Sequence, residues 1–138
     1  IAATGYNISF PFFDERLVNF KGATRLPLFK KMIPADLKNL YFIGLFQPLG
    51  CIWPLADYQA RLAVRELCGE YRRPADIRAA IRWEMEHPHF NFEPSPRHAV
   101  EVDYHLFRRE LLAELRTPRT PSTRRSRGTP LPVGEGQG

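Results

Sequence analysis

The chain has 138 residues, 43% hydrophobic and 25% charged, with two cysteines and a formal net charge of +5. That length holds one domain with a core. No apolar stretch approaches the ~20 residues of a membrane span, and no charged region followed by an apolar run marks a signal peptide, so the expectation is a soluble, cytoplasmic chain. A nucleic-acid surface is not indicated either: Arg119, Arg124, Arg125 and Arg127 against Glu135 place +3 of the charge on the tail from Thr117 onward, leaving +2 for the rest, and no aromatic platform is interleaved with the basic residues.

The chain begins at Ile1, inside an apolar run and without methionine, and reads as a fragment. Ile1 to Thr4 can finish a strand, with Gly5 turning the chain and Tyr6 packing at the turn. Asn7 to Phe13, rich in phenylalanine and interrupted by Pro11, predicts a buried irregular segment or a short edge strand. Asp14 to Pro27 mixes charge, glycine and proline and predicts surface loop. For Leu28 to Ile33 a short extended segment and a helical turn both remain open, since so few residues carry no periodicity.

Leu40 to Ile43 are apolar without alternation, the pattern of a strand covered on both faces in a parallel sheet. Gly44 and Gly50 then bracket a loop containing Pro48, and glycine at a strand's carboxyl end lets backbone approach a ligand closely. The spacing of Leu55, Tyr58, Leu62, Ala63 and Leu67 predicts a helix from Pro54 to a stop at Gly69. The start of such a helix offers unpaired N–H groups to an electron-rich or anionic ligand. A second helix is predicted from Pro74 to about Glu86 on the stripe Ile77, Ile81, Met85, with Trp83 off it. A third runs from Val102 or Asp103 to about Leu115, with Tyr104, Phe107, Leu111 and Leu115 on one face. Glu101, Arg108, Arg109, Glu110 and Glu114 are read as its solvated side. Residues 117–138, poor in apolar side chains, cannot bury enough surface to offset the entropy of ordering and are expected to be disordered, which leaves 1–116 as the folded part.

Cys51 and Cys68 lack metal-type spacing and read as reduced thiols. His87, His89, His98 and His105 read as solvated loop residues, and no metal site is expected.

The order Gly44-Leu45-Phe46-Gln47-Pro48-Leu49-Gly50, followed by Gln59-Ala60-Arg61, closely resembles the G-L-x-Q-P-L-G and Q-A-R segments of the flavin-containing monooxygenases. Ala3-Thr4-Gly5-Tyr6 resembles that family's A-T-G-Y motif. Leu28-Phe29-Lys30-Lys31 with Pro34 and Leu37, and Pro96-Arg97-His98 with Val102-Asp103-Tyr104, follow in the family's order. The resemblance implies an α/β fold: the carboxyl-terminal fragment of a flavoprotein with two dinucleotide-binding, Rossmann-like domains, carrying few strands, about three helices and a disordered tail. It implies FAD and NADPH as cofactors of the intact protein, with molecular oxygen and a small nucleophilic substrate as partners. The implied activity is oxygenation of a soft nitrogen or sulfur centre through a peroxyflavin.

The residues carried over as cofactor-binding are Gly44, Leu45, Gln47 and Leu49, with Leu45, Phe46, Leu49, Ile52 and Trp53 keeping the site dry and Gln47 as an uncharged hydrogen-bonding group. Ala3, Thr4, Gly5 and Tyr6 are carried over as a junction between the nicotinamide and flavin domains. Gln59 and Arg61 are not assigned a catalytic role, and no catalytic residue is named. The glycine-rich dinucleotide fingerprints are absent from these 138 residues, so the amino-terminal dinucleotide-binding portion is expected as a missing partner, and the fragment alone is expected to be inactive. A Baeyer–Villiger monooxygenase or amine hydroxylase, and a non-enzymatic binding module acting through its basic tail, are the alternatives.

Overall fold

Two short apolar stretches flanking a pair of lysines form the first ordered element. In the computed structural model, which describes residues 8–93 and 95–117, Leu28–Phe29 (β1) pairs antiparallel with Ile33–Pro34 (β2), Phe29 opposite Ile33. This resolves the open choice at Leu28 to Ile33 in favour of the extended form. The turn between them holds Lys30 and Lys31 at φ 49° and 55° and closes with Met32 N–H donating to the Phe29 carbonyl at 3.0 Å. Two consecutive left-handed residues are the backbone of a type I′ turn, usually built from asparagine and glycine. Lysines there must be held by contacts elsewhere.

Helix α1 (Trp53–Leu67) is the centre of the molecule. Leu55, Gln59, Leu62 and Ala63 are its buried positions, and its end is closed by Gly69 N–H to the Glu66 carbonyl and Glu70 N–H to the Arg65 carbonyl, the paired bonds of a Schellman stop. Helix α2 (Ile77–Glu86) starts three residues later than its proline predicts, because the Asp76 carboxylate accepts from Ala79 N–H and caps it there. Ile81 is buried, Ile77 and Met85 pack beside it, and Trp83 stands off the stripe, stacked on His87. A short strand, β4 (Glu101–Val102), leads into α3 (Tyr104–Arg116), whose first turn is capped by Asp103 accepting from Leu106 N–H.

Three apolar clusters hold these elements together. One joins Phe29, Met32 and Ile33 of the hairpin to Leu62 and Ala63 of α1, Tyr71, and Ile81 of α2. A second gathers Val18, Leu26, Leu28, Phe42 and Ala99, with Phe10, Phe13 and Phe20 against it. The third packs Phe46 and Leu55 on Val102, Phe107 and Leu111, the Phe46 and Phe107 rings meeting edge to face at 5.0 Å. Each fully buried side chain of this size contributes about 1.5–3 kcal/mol relative to exposure.

The predicted parallel strand at Leu40 to Gly44 is not formed. Within it Phe42 N–H reaches the Met32 carbonyl at 2.9 Å, but no ladder follows, and Ile43 is 45% exposed. An apolar run becomes a strand only where a neighbour takes its N–H and C=O groups, and the described residues place no strand beside it. The parallel pairing falls four residues later, where Gln47–Pro48 (β3) aligns with β4, Gln47 opposite Glu101 and Pro48 opposite Val102. Residues 8–13 are irregular, as one of the two expectations had it, with a turn at Pro11 and Phe12, but the segment is not buried: Phe10 and Phe13 are half-buried and Phe12 is 76% exposed. The expected strand stub, the A-T-G-Y motif and the tail beyond Thr117 lie outside the described residues. What remains is a small α/β arrangement of three helices and short strands.

Candidate functional site

The segment from Gly44 to Trp53 alternates between core and surface. Leu45 packs into the second cluster and Phe46 into the third, Pro48 is buried, and Gln47, Leu49, Gly50, Cys51 and Trp53 face outward. Leu49 and Trp53 are 89% and 77% exposed. The backbone beneath is fixed: Gln47 N–H donates to the Val100 carbonyl at 2.7 Å, on the ladder that pairs β3 with β4. Gly44 and Gly50 adopt φ of 79° and 128°, and a Cβ built on either would meet nothing within 4 Å. These glycines leave open space on the outer side of the loop. Helix α1 opens directly after it at Trp53 with no side chain capping its start, and no acidic residue stands in its first turn. The edge therefore offers one uncharged amide, apolar side chains and unpaired helix N–H groups.

Behind the loop lies a buried polar network. Gln59, fully buried on α1, accepts from Gly44 N–H at 2.8 Å through Oε1 and donates to the Lys30 carbonyl at 2.9 Å through Nε2. Lys30 is itself buried, its Nζ 2.8 Å from Glu84 and 3.1 Å from Glu110, while its N–H donates to Glu84 at 3.0 Å. His89 completes the group. Its Nδ1 accepts from Asp103 N–H at 3.1 Å, which requires a lone pair there, so Nε2 carries the proton and donates to Glu110 at 3.0 Å.

These contacts bias the charges unequally. Burial works against the Lys30 ammonium, but Glu84 and Glu110 outweigh it and raise its pKa. Burial pushes the Glu84 carboxyl above the usual range, beyond what Lys30 offsets. For Glu110, which keeps more solvent contact, burial pushes upward too, yet the His89 hydrogen bond and the Lys30 charge together hold it below. Lys31, with the Ala99 carbonyl at 3.3 Å, is lowered by burial. Elsewhere Tyr71 donates its hydroxyl to Glu114 at 2.9 Å, and burial first, then that carboxylate, drive its pKa strongly upward.

The four residues expected at a cofactor divide accordingly. Gln47 and Leu49 face outward, Gly44 turns the backbone, and Leu45 is half-buried against the core. Phe46, expected to help dry the site, is core, whereas Trp53 is exposed. Arg61 pairs along α1 with Asp57 at 2.8 Å on the exposed side. Ala3, Thr4, Gly5 and Tyr6 lie outside the described residues. Two expectations are corrected: His89 is a half-buried, doubly bonded residue and not a solvated one, and Glu110 and Glu114 turn inward to Lys30, His89 and Tyr71. The sequence places Glu84 three residues after Ile81 and Glu110 three after Phe107, beside apolar stripes, a position that by itself does not distinguish a paired carboxylate from a solvated one. Both cysteines are free and exposed, and among the described residues no group of His, Cys, Asp and Glu is arranged to hold a metal. A groove of about 400 Å³ between Leu17, Phe42, Arg78 and Met85 includes no residue of 43–53, so concavity and motif do not coincide.

The loop thus presents an uncharged amide between exposed apolar side chains, with left-handed glycines on either side and a helix start after it. The sequence profile of the flavin-binding monooxygenase-like family matches residues 1–121, and the chain belongs to that family, whose members are FAD- and NADPH-using flavoproteins. It is 34% identical over 108 residues to flavin-containing monooxygenase 5 of Mus musculus, covering 75% of this chain and 20% of that protein. Over 78 residues it is 42% identical to dimethylaniline monooxygenase [N-oxide-forming] 2 of Rattus norvegicus, covering 55% of this chain and 14% of the relative. With flavin-containing monooxygenase 1 of Sus scrofa it shares 43% over 76 residues, 54% of this chain and 14% of the relative. The chain thus spans about a fifth or less of the curated relatives it matches. No helix among the described residues is long and apolar enough to cross a membrane.

Proposed function

We propose that this chain supplies the carboxyl-terminal part of an NADPH-dependent flavin monooxygenase that oxygenates a soft nitrogen or sulfur centre. The observation that carries this is the outward Gln47 on a backbone pinned from behind, within a motif that matches the family. The residues present fit the ring end of FAD. Gln47 can donate to and accept from a polar ring edge without adding charge. Leu49 and Trp53 cover the same edge with apolar surface and exclude water from it. The open outer side at Gly44 and Gly50 allows a ring to approach the backbone. When bound, FAD reduced by NADPH supplies the oxygen-activating chemistry. No glycine-rich pyrophosphate cradle stands in this sequence, so the remainder of a two-domain, Rossmann-like flavoprotein must hold the rest of the dinucleotide. Ala3 to Tyr6 belong at the junction with that remainder. Nitrogen as one such centre is supported by the N-oxide-forming relative.

The test is Gln47→Leu in the full-length flavoprotein. Loss of the amide leaves a polar ring edge unmatched, and FAD binding is expected to weaken by about 1–3 kcal/mol, with more hydrogen peroxide released per NADPH consumed. Unchanged FAD affinity with unchanged peroxide release would remove Gln47 from the site.

A further inference from the structure

We propose that Gln59 is the positioning residue of this loop: its buried amide fixes Gly44 against the Lys30 turn and thereby sets how Leu45 leads into the edge that Gln47 occupies. The inference rests on the reading that the loop faces the flavin. Gln59 itself does not touch that edge, being 0% exposed in the middle of α1.

The orientation of the amide is dictated at both ends. Its oxygen meets an N–H, that of Gly44, and its NH₂ meets a carbonyl, that of Lys30, so a flipped amide would oppose donor to donor and acceptor to acceptor. Neither leucine nor methionine can make these bonds, and a glutamate can make both only when protonated. The anchor on the far side is rigid, because Lys30 is gripped through Nζ by two carboxylates and through its N–H by Glu84. The near side is a turn that depends on Gly44 holding φ 79°. From there the chain has three residues in which to reach Gln47, with Phe46 seated on Phe107 between them. Phe46 and the β3 ladder hold the second half of this stretch, and Gln59 holds the first. Releasing Gly44 loosens Leu45 and the first half of the stretch beside the ring edge, where small displacements matter.

The experiment uses the full-length flavoprotein with Gln59→Leu and Gln59→Glu, reading three quantities: amide exchange at Gly44 and Leu45 relative to Leu111, the FAD dissociation constant, and the visible absorbance of bound flavin. In Gln59→Leu, exchange at Gly44 should rise about tenfold or more while Leu111 is unchanged, with weaker FAD binding and a shifted flavin spectrum. In Gln59→Glu, the buried carboxyl should restore slow Gly44 exchange and the wild-type spectrum as pH falls and it becomes protonated. Unchanged Gly44 exchange in Gln59→Leu overturns the positioning role whatever the flavin does. Faster exchange at Gly44 with wild-type FAD affinity and spectrum overturns instead the reading that this loop faces the flavin. If Leu111 also exchanges faster in Gln59→Leu, the protein has loosened throughout and Gln59→Glu decides: recovery at low pH supports the role, and no recovery overturns it.

Discussion

The inner and outer sides of the Gly44–Trp53 segment are built on opposite principles. Inside, buried Gln59 and Lys30 and half-buried Glu84, Glu110 and His89 form a set joined by hydrogen bonds and ion pairs. Outside, Gln47, Leu49 and Trp53 are exposed, and apolar side chains face solvent on a backbone that does not yield. The contrast is between satisfied polar contacts beneath the edge and exposed side chains on it, the arrangement that the proposed flavin contact would use.

The largest effect should come from breaking the inner side. Lys30→Met removes the cation shared by Glu84 and Glu110 and leaves two partly buried carboxylates facing each other, and urea unfolding should show a loss of about 3 kcal/mol. A neutral result would mean that apolar packing replaces the charged centre. The same centre predicts a pH profile. Lys30, with a raised folded pKa, contributes stability below its unfolded value of about 10.4, lost as pH rises through the folded value; Glu110, with a lowered one, contributes above about 4.3, lost as pH falls through it. Glu84, raised when folded, and Lys31, lowered, act in the opposite sense at the acid and alkaline ends, so the test is the mutant difference: Lys30→Met should flatten the part of the alkaline fall in melting temperature that Lys30 contributes.

A smaller effect is expected at the seam between the two sides. Gly44→Ala meets no atom within 4 Å but forces a side chain onto φ 79°, so the cost is conformational, roughly 1–2 kcal/mol in the same unfolding measurement. An effect near zero would show that the turn has a second conformation open to alanine. The smallest effect on stability belongs to the outer side. Leu49→Ser should lie within about 0.5 kcal/mol of wild type, since the side chain is 89% exposed, while FAD affinity of the full-length protein decreases. A large loss of stability would show that Leu49 serves the fold and not a ligand.

The sequence by itself determined the helices and the family. Leu55, Leu62 and Ala63 recur at helical spacing and are buried, Gly69 closes α1, and Phe107 and Leu111 share the buried face of α3, because periodicity and end signals act over a few residues and need no partner. The motif Gly44 to Gly50 was legible for the same reason, as a local order of residues. Leu40 to Ile43 shows the limit: an apolar run states that burial is available, but whether it becomes a strand depends on a neighbour's backbone, and here Met32 supplies a single bond. Tertiary structure alone decided the buried network. Lys30, Gln59, Glu84 and Glu110 are separated by as many as 80 positions, and a carboxylate beside an apolar stripe reads equally as solvated until a cation from another element reaches it. Burying a charge is costly without its partner, so the partner's arrival in space, which no local pattern records, decides whether the residue belongs to the surface or to the core.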